Sequence, residues 1–97
     1  MVDEMIKLLE SGVGENITKA AKALSEKAKD VVELPKDRLK KILQMLNDAL
    51  DKPNVDDGEV RLALDTITNE MILKYDIIIP EKQAISYEWF VAWLDDQ

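Results

Sequence analysis

The sequence predicts an all-α fold, a compact array of about five helices with one extended connection near residues 76–80. Three observations carry this. Apolar residues recur at i, i+3, i+4 and i+7 through most of the chain. The pattern breaks where Gly, Pro or a β-branched run stands. The one segment favouring an extended conformation has no second strand to pair with.

The first element runs from about Val2 to Ser11, with Val2, Met5, Ile6 and Leu9 on one side. Gly12 stands where a helix C-terminus favours positive φ, and Gly12-Val13-Gly14 is the hinge to the next element. The second element, about Asn16 to Val32, aligns Ile17, Ala20, Ala21, Leu24, Ala28 and Val31. Lys19, Lys22, Lys27 and Lys29 lie on or beside its opposite face. Three alanines in that stripe bring a neighbour close but bury little area. At roughly 0.8 kcal/mol per buried methylene, this helix is expected to be the most weakly held.

Pro35 suits the first position of a helix, where no amide donor is needed. The third element therefore spans about Pro35 to Asp51, with Leu39, Ile42, Leu43, Leu46, Ala49 and Leu50 as its stripe and Met45 at the edge. It ends before the breaker Lys52-Pro53-Asn54. Asp56 and Glu59 then form a variant capping box, flanked by Val55 and Val60 at the positions of a hydrophobic staple. A fourth helix should run from Asp57 to Lys74 or Tyr75. Its main face is Val60, Ala63, Leu64, Ile67 and Met71, and a second line of Leu62, Thr66 and Leu73 lies on the opposite side. Such a helix is expected to be covered on two sides.

Ile77-Ile78-Ile79 before Pro80 disfavours helix through β-branching and the pre-proline restriction, and reads as an extended, buried connection. A last helix begins between Pro80 and Ser86 and carries Tyr87, Trp89, Phe90, Trp93 and Leu94. Leu34-Pro35 and Ile79-Pro80 stand 45 residues apart, a period compatible with helical hairpins, although the residues that follow match poorly. Bundle and short helical-hairpin solenoid both remain open.

The 97 residues, 46% hydrophobic and 34% charged, suit a single helical domain covering 1–97. The charge of −7 argues against generic binding to nucleic acid or to anionic membranes. It is unevenly spread, at −2 over residues 1–14, +3 over 15–41 and −8 over 42–97. The N-terminal residues lack the pattern of a signal peptide, and apolar runs are far too short to span a membrane, so a cytoplasmic location is expected.

The absence of Cys and His excludes disulfides, thiolate metal sites, cysteine nucleophiles and imidazole chemistry. Gly12-Val13-Gly14-Glu15-Asn16 lacks the Lys and hydroxyl that a phosphate-binding loop requires. Setting Gly58 at the sixth position of a calcium loop puts Pro53, Val55 and Leu64 at ligand positions, so capping explains those carboxylates better. Glu88, between Tyr87 and Trp89, points away from the aromatic face of its helix. No catalytic, cofactor or metal site is therefore expected.

The expected function is a non-enzymatic regulatory or assembly role through protein–protein interaction, with self-association into a homodimer. The candidate partner-binding residues are Trp89, Phe90, Trp93, Leu62 and Leu73. Tryptophan supplies many interface hot spots, and two leucines opposite the core stripe call for a covering surface. The aromatic residues also suit a simpler role as a lid on the core. Two alternatives use charge: an acidic nucleic-acid mimic that inhibits a basic protein, or a weak nucleic-acid binder using Lys19, Lys22, Lys27, Lys29, Lys40 and Lys41.

Overall fold

The computed structural model describes residues 2–82 and 85–97. Over these the order is α1 (Val2–Glu10), α2 (Gly14–Glu26), α3 (Ala28–Val31), α4 (Lys36–Ala49), α5 (Asp57–Tyr75) and α6 (Tyr87–Asp95), with no strand among them. One apolar cluster draws residues from all six helices. The radius of gyration, 12.8 Å, agrees with the roughly 13 Å of a compact chain of about 100 residues.

Helix α5 is the axis of the array. It packs against α2, α3, α4 and α6, while α1 closes the far side by resting on α2 and α4. The α2–α5 contact is the most extensive, followed by α1–α2. The alanine stripe of α2 is thus held between two helices. Ala20, Ala21 and Ala63 are fully buried there, the small side chains letting the neighbouring helices come close, as the alanine stripe predicts.

The predicted second helix is divided. The Lys27 amide is shared between the Ala23 and Leu24 carbonyls, φ there is −116°, and a single further turn buries Ala28 and Val31. No Gly or Pro marks the break. Pro35 sits one place earlier than predicted, as the extended residue (φ −53°, ψ 146°) before α4.

Gly12 takes a positive φ of 74°, as a helix terminator should. Gly14 answers a different need: a Cβ there would lie 2.5 Å from the Asn54 carbonyl oxygen. This contact ties the start of α2 to the 53–54 turn. Thr18 continues the tie, its hydroxyl donating to the Gly14 carbonyl at 2.9 Å and accepting the Asp56 amide at 3.0 Å.

The cap of α5 forms as predicted on one side only. Asp56 Oδ1 accepts the amides of Gly58 and Glu59, at 3.0 and 3.3 Å. The reciprocal bond from Glu59 is replaced by Thr18, which takes the Asp56 amide. At the other end Asp76 adopts the left-handed conformation (φ 52°) and the Ile77 amide reaches back to the Ile72 carbonyl. This Schellman closure turns Ile77 into the core.

The 77–80 segment is extended as predicted, but it is not buried along its length. Ile77 is buried, Ile78 is 86% exposed and Ile79 is partly covered, which is the alternation of an extended chain lying along a surface. The last helix begins at Tyr87, just past the predicted window; Gln83 and Ala84, inside that window, lie outside the described residues. Since Pro35 abuts α4 whereas six residues separate Pro80 from the start of α6, the two proline sites are not equivalent repeats.

Candidate functional site

Interior packing takes up most large apolar residues, and those left over are unevenly placed. Among the described residues, Leu62, Leu73, Ile78, Ile79, Ile85 and Val13 are the exposed large hydrophobics. All but Val13 lie on α5 or in the connection that follows it.

Leu62 and Leu73 are 53% and 74% exposed, with the half-buried Thr66 between them. Neither α1 nor the isoleucine segment covers this line, so the expectation that α5 is covered on two sides does not hold within the chain. The 100° step of a helix explains the geometry: positions 62, 66, 69 and 73 fall within a narrow arc opposite Val60, Ile67 and Met71. Four helices cover one side of α5, and this arc faces water.

Beside that arc lies a groove of about 530 Å³ between the end of α4, the middle of α5, Ile79, the residues 85–86 and the start of α6. Leu50, Leu64, Ile72 and Phe90 supply apolar surface, and Ile79 and Ile85 stand at its edge. Arg61, Asp65 and Tyr87 are the ionisable residues of the wall, accompanied by Asn47, Thr68, Asn69 and Ser86. Burial and the negative charges of Glu88 and Asp48 raise the Tyr87 pKa above its ordinary value, helped by a hydrogen bond to Glu88. Acidic side chains thus stand close to the groove wall.

The aromatic residues of α6 divide between two environments. Phe90 and Leu94 are buried in the core, whereas Trp89 and Trp93 are half-buried. Trp89 meets Phe90 edge-on at 5.1 Å, and Trp93 packs against Tyr75 at 5.2 Å. The Tyr75 ring also carries Lys74 and Lys36 at 5.0 and 5.6 Å. Lys74 donates to the Val32 carbonyl at 2.8 Å and to Glu33 at 3.1 Å. Partial burial pulls the Lys74 pKa down, but Glu33 and Tyr75 outweigh it and the net shift is upward. This cluster joins α3, α4, α5 and α6 and gives Trp93 a structural seat.

Three cations from the basic segment have acidic partners, Arg38 pairing with Asp3. Lys40 meets Asp95 at 2.6 Å and Lys41 meets Glu10 at 3.6 Å. Asp95 raises the Lys40 pKa through its hydrogen bond and charge. The carboxylates of the 51–59 segment gather no cluster of three metal-ligating side chains among the described residues, and Asp56 is committed to capping. Likewise, no helix among them is long and apolar enough to cross a membrane.

The structure therefore brings Leu62 and Leu73 together on one open face and places Trp89, Phe90 and Trp93 elsewhere. It adds Ile78, Ile79, Ile85 and Asp65, which sequence reasoning missed. The isoleucines escaped notice because only the alternation beyond the Schellman turn decides which of them points inward. Comparisons with protein-family models, curated proteins and solved structures find no match to this chain.

Proposed function

We propose that this protein works by binding other protein chains, without catalysis, and that the outer line of α5 joins two copies of it. The observation that carries this reading is the exposure of Leu62 and Leu73 on one face of a helix whose other side is fully packed. Burying a leucine side chain completely is favourable by roughly 1.5–3 kcal/mol, so a partner surface gains from both. Eleven residues at 1.5 Å per residue separate them by about 16 Å. An antiparallel crossing centred between Thr66 and Asn69 sets each Leu62 against the partner copy's Leu73. One two-fold axis then satisfies both leucines of both copies.

The non-enzymatic reading rests on the sequence, which holds no cysteine or histidine to act as nucleophile or imidazole base. The test is sedimentation of the parent beside Leu62→Glu and Leu73→Glu. Both positions are exposed, so both variants are expected to fold and to sediment as monomers from a dimeric parent. A parent that stays monomeric at high concentration overturns the self-association.

A further inference from the structure

The chain holds a single Asp–Gly pair, Asp57–Gly58, and no Asn–Gly pair. The pair opens α5, and both residues are exposed to solvent. We propose that Asp57 is a site of spontaneous backbone isomerisation to isoaspartate, which the Asp56 cap holds in check while the protein is folded. The reaction needs no enzyme and no co-reactant but water. The Gly58 amide nitrogen gives up its proton and attacks Asp57 Cγ. The new C–N bond closes a five-membered imide ring, and the carboxyl hydroxyl leaves with a proton as water. Water then adds to the former main-chain carbonyl carbon of Asp57, and the C–N bond there breaks. The chain now runs through Cβ and Cγ, with the old main-chain carbon left as a free carboxylate. One water leaves and one enters, so mass and oxidation state are unchanged. Glycine permits the attack because no Cβ crowds the approaching nitrogen.

Two features of the fold oppose it. The ring closes only when the Gly58 nitrogen is nearly eclipsed with Asp57 Cβ about the Cα–C bond, and a helical ψ of about −42° turns it well out of that line. The Gly58 amide also donates to Asp56 Oδ1 at 3.0 Å, and a carboxylate oxygen there resists loss of the amide proton. The Glu59 amide, on the same oxygen at 3.3 Å, holds the turn in place. Both locks open together when the first turn of α5 frays. Isomerisation then blocks the return. The extra backbone atom at position 57 shifts the Gly58 and Glu59 amides away from Asp56, beside the bond that ties the Asp56 amide to Thr18. The product therefore accumulates in chains whose α5 has opened at its start.

The test is incubation of the purified chain in neutral buffer at physiological temperature, both folded and in urea. Isoaspartate at 57 is read as a peptide of unchanged mass that elutes apart from its parent and resists an endoproteinase cutting before aspartate. It is expected to form readily in urea and far more slowly in the fold. Folded Asp56→Ala is expected to form it roughly two- to thirtyfold faster than the folded parent, which is the usual contribution of a cap expressed as a frayed population. Asp56→Ser restores an acceptor and is expected to return the rate close to that of the parent. Ile42→Val controls for general loss of stability, because it trims the buried face of α4 and leaves the cap intact; it is expected to accelerate the reaction less than Asp56→Ala. Gly58→Ala is expected to slow it even in urea. The proposal is overturned by an unfolded parent free of isoaspartate at 57, by equal rates in the folded and unfolded parent, or by unslowed reaction in Gly58→Ala. Equal acceleration by Ile42→Val and Asp56→Ala, or no rescue by Asp56→Ser, overturns it as well. None of these readouts depends on dimerisation, so this inference and the self-association of α5 fail independently.

Discussion

Replacing Gly14 by alanine sets two physical effects against each other. Alanine is the better helix former by about 0.8–1.0 kcal/mol, and Gly14 opens α2, so propensity alone forecasts a gain. The fold forecasts a loss. The new methyl carbon would lie 2.5 Å from the Asn54 oxygen, 2.6 Å from its carbonyl carbon and 2.8 Å from the Pro53 oxygen. These are backbone atoms of a turn already constrained by a φ of 63° at Asn54, so no side chain can rotate aside. Overpacking of this kind costs about 1–3 kcal/mol, and relief by moving the turn would strain the Thr18–Asp56 bond that closes it. Set against the propensity gain, the net expectation is a loss of about 1 kcal/mol and at most about 2 kcal/mol, read as a fall in Tm of roughly 5 °C for a domain of this size. Gly12→Ala is the control, because nothing lies within 4 Å of its added carbon and its loss arises from φ alone. An unchanged or raised Tm for Gly14→Ala would refute the close approach of α2 to the 53–54 turn.

Asp56→Ala removes an acceptor shared by two amides and should cost about 0.5–2 kcal/mol; a denaturation midpoint equal to that of the parent would contradict the cap. Trp93→Ala should cost about 2 kcal/mol, less than the roughly 3–5 kcal/mol expected for the buried Phe90→Ala, because Trp93 is only half-buried against Tyr75. Urea midpoints that rank the two variants the other way would show Trp93 to be the deeper anchor. The raised Tyr87 pKa favours the neutral phenol in the fold, so this group supports stability below pH 10 and withdraws that support as pH rises above it. Glu88→Gln should move part of the tyrosinate absorbance rise to lower pH; an unmoved curve would separate Glu88 from the groove wall.

The helices and the core were legible because apolar spacing records which face each helix buries. The stripes of Leu39, Ile42, Leu43 and Leu46 on α4, and of Val60, Ala63, Ile67 and Met71 on α5, are all buried. Chemistry confined to a few adjacent residues was legible too, as in the Asp56 cap and the positive φ of Gly12. What could not be read locally depends on a distant partner. Thr18 supplants Glu59 at the Asp56 amide across 38 positions of sequence.

The candidate surface shows most clearly where periodicity stops being informative. Leu62 and Leu73 follow the same helical spacing as core residues, so pattern alone marks them as apolar and says nothing of what covers them. The fold supplies the missing term: α1 is committed to α2 and α4, and of the three isoleucines that follow Asp76 only Ile77 turns inward, while α6 buries its Phe90 and Leu94 in the core and not against the outer line of α5. Nothing within the described chain is left to close the outer side of α5. The groove follows from the same turn, because the segment that buries Ile77 and exposes Ile78 carries Ile79 to the edge of a wall shared with Asp65 and Tyr87. A single left-handed residue, Asp76, therefore directs where the apolar surface after α5 goes. It sends one isoleucine to the core and leaves the others at the surface.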